Sequence, residues 1–416
     1  MQKSAVRVVI TGYGGNCSLG ENVDQIWDSI SNYRLGYKLA KHNDQSVGAT
    51  FFGNMETPLA GINNIPKAIN RNLPRYGQFG IVAAEEAVRM AFGEQEIYQY
   101  YDPFDCGVIF GTGWGGQDEV VKNAMMYTET GMASPFSNIQ AMYSVCTAAI
   151  AKIWNLRGYQ STPVAACATS SIAIGDAFEL IKAGRAKMVL AGGGESIRDA
   201  FNIWSVDILQ ALSKEQNDVT KACCPFSLDR SGFIMSEGAA VVCLEEYESA
   251  KKRGANILAE ITGYGNFSDA YDMTKPAPDL LGRVKSINKA LSQANVSVGE
   301  IDYINAHGTS TPLNDLNETE SLKLALGDYA YEIPVSSTKS YTGHLMAAAG
   351  SMETIFCIKS MTANMLPATT NLNNPDPACD LNYVANNHVN NEDIKTALNI
   401  NYGFGGSNSA LILQRI

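Results

Sequence analysis

The chain has 416 residues, of which 45% are hydrophobic and 18% are charged, and this predicts a globular protein of about two or three domain-sized units. Its net charge of −11 argues against nucleic acid or an anionic membrane surface as a partner, because both would be repelled over most approaches. No uninterrupted apolar run reaches about 18 residues, so we expect no segment that spans a membrane.

The nine cysteines follow neither a disulfide pattern nor a zinc pattern. Their number is odd, only Cys223 and Cys224 lie close together, and no histidine is near a cysteine in the sequence. Free thiols in a protein of this size are typical of the cytoplasm, where we expect this protein to be located. We predict no metal site.

The hydrophobic pattern predicts an α/β fold, because short β-branched runs that end in glycine alternate with longer amphipathic segments. In chain order, the predicted strands cover residues 6–10, 107–110, 188–190, 301–306 and 397–402. The predicted helices cover residues 79–91, 170–183, 282–294 and 351–362, and Gly184 is expected to cap the second of them.

A short motif occurs twice. Ile10-Thr11-Gly12-Tyr13-Gly14 recurs as Ile261-Thr262-Gly263-Tyr264-Gly265, and the same order of predicted elements follows each copy. We interpret this as a duplication with two related halves, residues 1–255 and 256–416. The seam between such halves is a natural place for a functional site.

Cys167 lies in a turn of small residues, after a strand-like run that includes Val164 and before the predicted helix that begins at Ser170. A thiol at a helix N-terminus is favoured as thiolate by the positive end of the helix dipole. A buried structural cysteine remains the alternative, since most free cysteines are core residues.

Two of the four histidines stand in turns that suit reacting groups. His307 follows a predicted strand and opens Gly308-Thr309-Ser310-Thr311-Pro312, whereas His344 follows Thr342-Gly343. Loops at strand ends are where α/β proteins place catalytic side chains, although either histidine alone could be structural. His42 and His388 have no such context and are predicted to be surface residues.

Two glycine-rich segments allow a functional and a structural interpretation. In Gly403-Phe404-Gly405-Gly406 the ring could act as a gate and the backbone could offer N–H groups to an oxyanion, or the segment could be a plain turn. Gly111-Thr112-Gly113-Trp114-Gly115-Gly116, with Glu129 beyond it, fits a dinucleotide-binding pattern. That reading is weak, because Trp114 would obstruct the pyrophosphate.

Taken together, these motifs resemble the elongating β-ketoacyl-acyl-carrier-protein synthases, the Cys-His-His ketosynthases of fatty-acid and type II polyketide synthesis. The resemblance rests on Cys167, His307–Pro312, Lys339-Ser340-Tyr341-Thr342-Gly343-His344 and the Gly403–Gly406 segment, and it extends over nearly the whole chain. It implies a thiolase-like fold, with duplicated α/β halves in a five-layered αβαβα arrangement. It also implies a dimer, no cofactor, and substrates carried on the phosphopantetheine of an acyl carrier protein.

The resemblance also implies roles for single residues. Cys167 would be the nucleophile, with its own N–H and that of Phe404 binding the oxyanion. His307 and His344 would donate hydrogen bonds to the malonyl carbonyl. The remaining residues expected at the site are Lys339, which tunes it, Glu353, which supports the lysine, Thr309 and Thr311, which bind the pantetheine amides, Gly405 in the mobile loop, and Trp114 beside the acyl pocket.

Departures from the family pattern favour a specialised ketosynthase over a housekeeping one. Trp114 replaces a smaller residue, and Met132-Ala133 stands where a basic pair is expected. We therefore expect a polyketide or polyene enzyme whose partner is either a second copy or a homologous chain-length-factor subunit. The candidates for carrier docking are Lys67, Arg71, Arg75 and Lys214.

Three alternatives remain: a fatty-acid elongation enzyme, a chain-length factor and a degradative thiolase. A chain-length factor would lack the active cysteine, and a thiolase would have a second cysteine near the C-terminus. The sequence leaves acyl length, primer and pathway open.

Overall fold

The computed structural model describes residues 6–40, 47–55 and 59–416, and within them it contains fourteen strands and fourteen α-helices. The strands are β1 (Val8–Cys17), β2 (Lys38–Leu39), β3 (Phe51–Phe52), β4 (Cys106–Gly111), β5 (Gln160–Ser161), β6 (Met188–Glu195), β7 (Gly238–Glu246), β8 (Ala259–Ser268), β9 (Tyr303–Asn305), β10 (Val335–Ser336), β11 (Met365–Leu366), β12 (Val389–Asn390), β13 (Thr396–Gly403) and β14 (Ser407–Gln414). The helices are α1 (Val23–Ser31), α2 (Lys67–Asn70), α3 (Arg75–Phe92), α4 (Gln117–Thr130), α5 (Ser137–Ala141), α6 (Val145–Ile153), α7 (Thr169–Lys182), α8 (Ala200–Asp207), α9 (Val219–Ala222), α10 (Tyr247–Lys252), α11 (Leu281–Ala294), α12 (Pro312–Leu326), α13 (Lys339–Thr342) and α14 (Ala349–Ala363).

The strand order shows the duplication. Ten of the described strands form one sheet in the order β10-β9-β13-β14-β8-β1-β7-β6-β4-β5. From β1 outward the order is β7, β6, β4, β5, and from β8 outward it is β14, β13, β9, β10. The corresponding pairs also match in direction: the first two pairings in each half are antiparallel and the last two are parallel.

The repeated motif has the same packing role in both halves. A Cβ atom added to Gly12 or Gly14 would overlap the backbone of α3, and one added to Gly263 or Gly265 would overlap the backbone of α11. Only glycine therefore lets a helix lie this close to β1 and to β8. The motif marks the strand on which each outer helix packs.

The elements stack in five layers. Helix α3 covers one half of the sheet, α11 covers the other, and α7 and α14 lie between the halves, where each contacts strands of both. This is the thiolase-like arrangement that was predicted. The halves are also joined edge to edge, because Val8–Ile10 of β1 pairs with Ala259–Ile261 of β8.

The two central helices begin in the same way. A single 3-10 turn, Ala166–Ala168, leads into α7, and a second one, Met346–Ala348, leads into α14. The first residue of each turn has a positive φ, 47° at Ala166 and 51° at Met346. Cys167 and Ala347 therefore occupy corresponding positions in the two halves.

Most predicted elements are present, with ends that differ by a few residues. Strand β1 continues through the glycines to Cys17, and α7 ends as predicted, with Gly184 at a φ of 71° after its C-cap. The prediction of a strand directly before Cys167 was wrong. The strand in this region is only Gln160–Ser161, and the residues between it and Cys167 are irregular. Within the described part of the chain, no helix is both long and apolar enough to cross a bilayer.

Candidate active site

Cys167 lies in the tight turn before α7, and its side chain reaches the wall of a cavity of about 330 Å³. The helix begins close to the predicted position. The protonation state of Cys167, however, differs from the expected thiolate. Burial raises the pKa of the Cys167 thiol to about 12, and the nearby Lys339 charge offsets only part of this effect. Desolvation outweighs the helix dipole here, which favours the protonated thiol at Cys167.

His344 follows α13 and lines the same cavity. Its Nδ1 accepts a hydrogen bond from the main-chain N–H of Met346 at 3.2 Å, and its buried Nε2 has no partner among the described residues. Burial, together with the Lys339 charge, lowers the pKa of His344 well below its ordinary value. The ring is therefore neutral, with its proton on Nε2.

His307 is placed by a buried carboxylate that the sequence did not signal. Glu318 on α12 accepts hydrogen bonds from the main-chain N–H groups of His307 and Gly308 at 2.6 and 2.7 Å. Burial raises the pKa of Glu318 to about 7 and lowers that of His307 well below its usual range. His307 is thus also neutral, on a turn held by two hydrogen bonds to Glu318.

The three predicted reacting groups converge. One donor atom each from Cys167, His307 and His344 lie within 4.8 Å of one another, although the cysteine and the histidines come from different halves. The two imidazole rings are 5.5 Å apart and nearly perpendicular, and Phe233 contacts the edge of the His344 ring. This spacing suits thioester chemistry at one carbonyl, and it would also suit a metal ion, which the cysteine pattern did not indicate.

A buried polar network lies behind the triad. The Lys339 ammonium donates to Glu353, the side-chain amide of Asn401 donates to the other Glu353 oxygen at 2.6 Å, and Ser171 on α7 donates to Asn401. Lys339 is 1% exposed. Burial and the Lys339 charge together lower the pKa of His307 and of His344, whereas at the Cys167 thiol the Lys339 charge opposes the burial that raises the pKa. Lys339 and Glu353 thus form a buried pair beside the three side chains, and Asn401 extends it; their predicted roles stay predictions.

The glycine-rich turn after β13 packs against the nucleophile. A Cβ atom on Gly403 would overlap the carbonyl oxygen of Ala165 and crowd the amide nitrogen of Cys167. Phe404 lines the cavity, whereas Gly405 is exposed and donates its N–H to Met273 at 2.8 Å. Gly405 does not line the cavity, and the roles predicted for Phe404 and Gly405 stay predictions.

The other predicted substrate residues divide into two groups. Thr309 and Thr311 line the cavity, and their hydroxyl oxygens are 2.9 Å apart. Trp114 does not line it and is instead half-buried against the apolar cluster that contains Cys167. The dinucleotide reading of this loop also fails, because buried Glu195 accepts from the N–H of Gly113 at 2.7 Å and from that of Trp114.

None of the four predicted docking cations lines the cavity. Lys67, Arg71 and Lys214 are exposed. Arg75 is not a free surface charge, because it forms an ion pair with buried Glu237 at 2.8 Å. The sequence alone does not distinguish an arginine that forms such an ion pair from one that is free to bind a carrier protein. The exposed cation that the cavity does include is Lys275.

The surface prediction for His388 was wrong. Its ring stacks on Tyr33 at 4.2 Å, and its Nδ1 accepts from the N–H of Ala368 at 3.0 Å, so it is a half-buried structural residue. His42 lies outside the described residues. All nine cysteines are free and buried.

Comparisons with known proteins agree with this geometry. A model described as beta-ketoacyl synthase, N-terminal domain, matches residues 5–250, and one described as beta-ketoacyl synthase, C-terminal domain, matches residues 258–373. The 3-oxoacyl-(acyl-carrier-protein) synthase 2 of Coxiella burnetii is 36% identical over 99% of both chains, and that of Synechocystis sp. is 35% identical over 98% of both.

Solved structures give the same answer. A type II polyketide synthase acyl-carrier protein in complex with its ketosynthase, which is bound to the hexaketide, superposes with a TM-score of 0.91 at 31% identity, covering 99% of this chain and 100% of that one. The ishigamide ketosynthase/chain length factor superposes with a TM-score of 0.88 at 28% identity, with the same coverage. The chain therefore belongs to the beta-ketoacyl synthase family of acyl-transferring, carbon–carbon bond-forming enzymes.

Proposed function

We propose that this enzyme condenses an acyl group held on Cys167 with a malonyl thioester, and that an acyl carrier protein delivers both. One observation carries the proposal: the donor atoms of Cys167, His307 and His344 approach within 4.8 Å inside a single cavity. A nucleophile beside two neutral hydrogen-bond donors is what the two half-reactions need. We propose that no metal or organic cofactor takes part.

In the first half-reaction the Cys167 sulfur attacks the acyl thioester. The carbon–sulfur bond to the carrier breaks, and the proton of Cys167 passes to the departing carrier thiolate, which is released as a thiol. The N–H groups of Cys167 and Phe404 would stabilise the oxyanion. Because the pKa of Cys167 is about 12, proton transfer has to accompany the attack.

In the second half-reaction His307 and His344 donate to the carbonyl oxygen of the malonyl thioester. The bond to the carboxylate breaks, carbon dioxide leaves, and the electron pair forms an enolate. The enolate carbon attacks the acyl-Cys167 carbonyl, and the released thiolate of Cys167 takes up one proton. Neutral imidazoles suit this step, because their donors stabilise a negative charge that only develops as the reaction proceeds.

A Cys167→Ala variant tests this chemistry. We expect it to lose acyl loading, seen by intact-mass analysis, yet to retain decarboxylation of the malonyl carrier, because the two histidines remain. Normal elongation by this variant would show that the nucleophile is another residue.

We propose further that the enzyme is the ketosynthase subunit of a specialised, cytoplasmic type II polyketide-like pathway. Support comes from exposed apolar side chains on α4 and on the segment after it: Tyr127 is 63% exposed and Met132 is 72% exposed, and Met125 and Met142 are exposed as well. Exposed apolar residues grouped in this way are typical of subunit interfaces. We propose that a homologous chain-length-factor subunit covers this surface.

The competing role is fatty-acid elongation, which the names of the bacterial relatives favour. Purification alone and together with a homologous subunit separates the two roles. We expect efficient extension only in the mixed complex, with mass and stoichiometry measured by light scattering. A homodimer that extends long saturated acyl carriers efficiently would support the fatty-acid role.

A further inference from the structure

Arg283 is a buried cation in the cavity wall. It lies near the start of α11, is 4% exposed, and lines the cavity together with His307, Thr309 and Asn314. Its guanidinium lies 4.0 Å from the centre of the Tyr402 ring, and that ring is 5.7 Å from the ring of His307. Arg283 is therefore one aromatic ring away from a reacting group.

The charge of Arg283 has no carboxylate partner within the described residues. Its two hydrogen bonds go to the carbonyl oxygen and the side-chain oxygen of Asn314, at 3.5 and 3.1 Å, and its buried Nε has no partner. Glu318, Asp269 and Asp315 act on it only from a longer range. Burial accordingly lowers the pKa of Arg283 from its ordinary value.

Other deeply buried cations of the chain are paired. Arg230 lies 2.6 Å from Asp376, Arg253 is bound by Glu245, and Lys339 is bound by Glu353. Because an uncompensated charge is costly to bury, the interior normally supplies a counter-ion. Arg283 lines the cavity, so its counter-ion is expected to arrive there as a ligand.

The proposed reaction brings two kinds of thioester into this cavity, and only one carries a charge. The acyl group that loads Cys167 is uncharged, whereas the extender carries a free carboxylate. We infer that Arg283 binds the carboxylate of the malonyl-type extender and so distinguishes it from the loading substrate. This inference rests on the proposed function and names a specificity-determining residue within it.

The electrostatics of the whole chain support a local anion site. With a net charge of −11, the protein repels a free carboxylate over most of its surface, so attraction has to come from a cation inside the cavity. The ion pair forms when the extender binds and is lost as carbon dioxide leaves, so it stabilises the bound extender at least as much as the transition state. Arg283 therefore contributes to extender affinity and does not accelerate decarboxylation.

The test compares Arg283→Met, which keeps an apolar chain against Tyr402, with Arg283→Lys, which keeps the charge. We expect Arg283→Met to load Cys167 from a saturated acyl carrier as the parent does, measured by intact mass. Its KM for the malonyl carrier should rise roughly 10- to 100-fold, with kcat not lowered, because one charge-assisted bond pair is lost. Arg283→Lys should lie between the two. If Arg283→Met does not fold, Arg283→Gln replaces it.

Two results would overturn the inference. An equal loss in loading and in extension would mean that Arg283 contacts the pantetheine arm common to both substrates. An unchanged KM for the malonyl carrier would mean that it contacts neither.

A second readout does not require turnover. Free malonate should slow alkylation of Cys167 by iodoacetamide in the parent but not in Arg283→Met, and the neutral analogue malonamide should slow it in neither. Equal protection of parent and variant by malonate, or no protection of the parent, would also contradict the inference. A parent protein that never acylates Cys167 would instead contradict the proposed function, and the malonate experiment would still report on Arg283.

Discussion

Met346 fixes the proton of His344: its main-chain N–H donates to Nδ1 of the imidazole at 3.2 Å, so the neutral ring carries its proton on Nε2. The Nε2 atom is the one without another partner in the buried site. The turn that begins α14 thus sets the direction in which His344 donates.

This relationship predicts different effects for two amide substitutions at His344. His344→Gln places an N–H near the position of Nε2, whereas His344→Asn places its amide near Nδ1, too short to reach the cavity. We expect decarboxylation of the malonyl carrier to fall roughly 100- to 1,000-fold in His344→Asn, the cost of one lost oxyanion donor. The loss in His344→Gln should be clearly smaller, and carbon dioxide release measures both. Equal losses would contradict the assigned tautomer.

The pKa of Cys167 predicts its reactivity with alkylating agents. Since burial raises that pKa to about 12, the thiolate fraction, and with it the rate of alkylation by iodoacetamide, should keep increasing with pH through pH 10. Intact mass against time measures this rate, and Cys167→Ala is the control for the other cysteines, all of which are buried. A rate that levels off below pH 9 would contradict the prediction.

Because Lys339 and Glu353 form a buried ion pair, we expect substitutions of the two residues to have strongly non-additive effects on the free energy of unfolding. Removing either charge leaves the other buried and unpaired, so Lys339→Met and Glu353→Leu should each lower the free energy of unfolding by about 3–5 kcal/mol. The double variant should lose much less than the sum of the two single losses. Urea unfolding of the four proteins measures the coupling, and additive losses would argue against a tight pair.

Substitution of Glu318 should lower activity although this residue acts only through the His307 turn. Glu318→Gln keeps the size of the side chain but offers an NH2 group to one of the two N–H donors of the His307 turn. We expect kcat to fall roughly tenfold and the free energy of unfolding to drop by about 1–3 kcal/mol, the cost of one unsatisfied buried donor. Acyl loading of Cys167 is the internal control and should change little.

Substitutions of Arg230 and Arg283 allow a controlled comparison of stability, because only Arg230 has an ion-pair partner among the described residues. Arg230 lies 2.6 Å from Asp376 and 3.9 Å from the fully buried Asp315, so Arg230→Met leaves the buried Asp315 carboxylate without its cation and should cost about 3–5 kcal/mol. Arg283 has no ion pair among the described residues, so Arg283→Met should unfold at the parent temperature or above. Thermal melts of both variants test this contrast, and a lower melting temperature for Arg283→Met than for Arg230→Met would contradict it.

The convergence of Cys167, His307 and His344 in one cavity could be predicted from the sequence, because each stands in a short turn whose local pattern is distinctive. The residues that hold them could not. Glu318 and Asn401 join the candidate site through contacts across the fold, and nothing in their neighbourhood in the sequence signals those contacts.

The charged residues show the same limit. Arg75 has the pattern of a surface cation, yet it pairs with Glu237, and Arg283 has the pattern of an ordinary helix residue, yet it faces the cavity. The expected thiolate at Cys167 failed for a related reason. A helix N-terminus can be read from local sequence, but the desolvation that raises the pKa depends on the whole tertiary structure.

Helices α7 and α14 are each preceded by a 3-10 turn whose first residue has a positive φ, and this similarity constrains the explanation of the backbone strain next to Cys167. A left-handed alanine directly before a nucleophile invites the view that the distortion serves the reaction. Met346 adopts almost the same torsion before Ala347, a residue with no reactive atom. The distortion is thus a feature of both halves of the fold, and a thiol in one half with a methyl group at the matching position of the other is a difference of side chain and not of backbone.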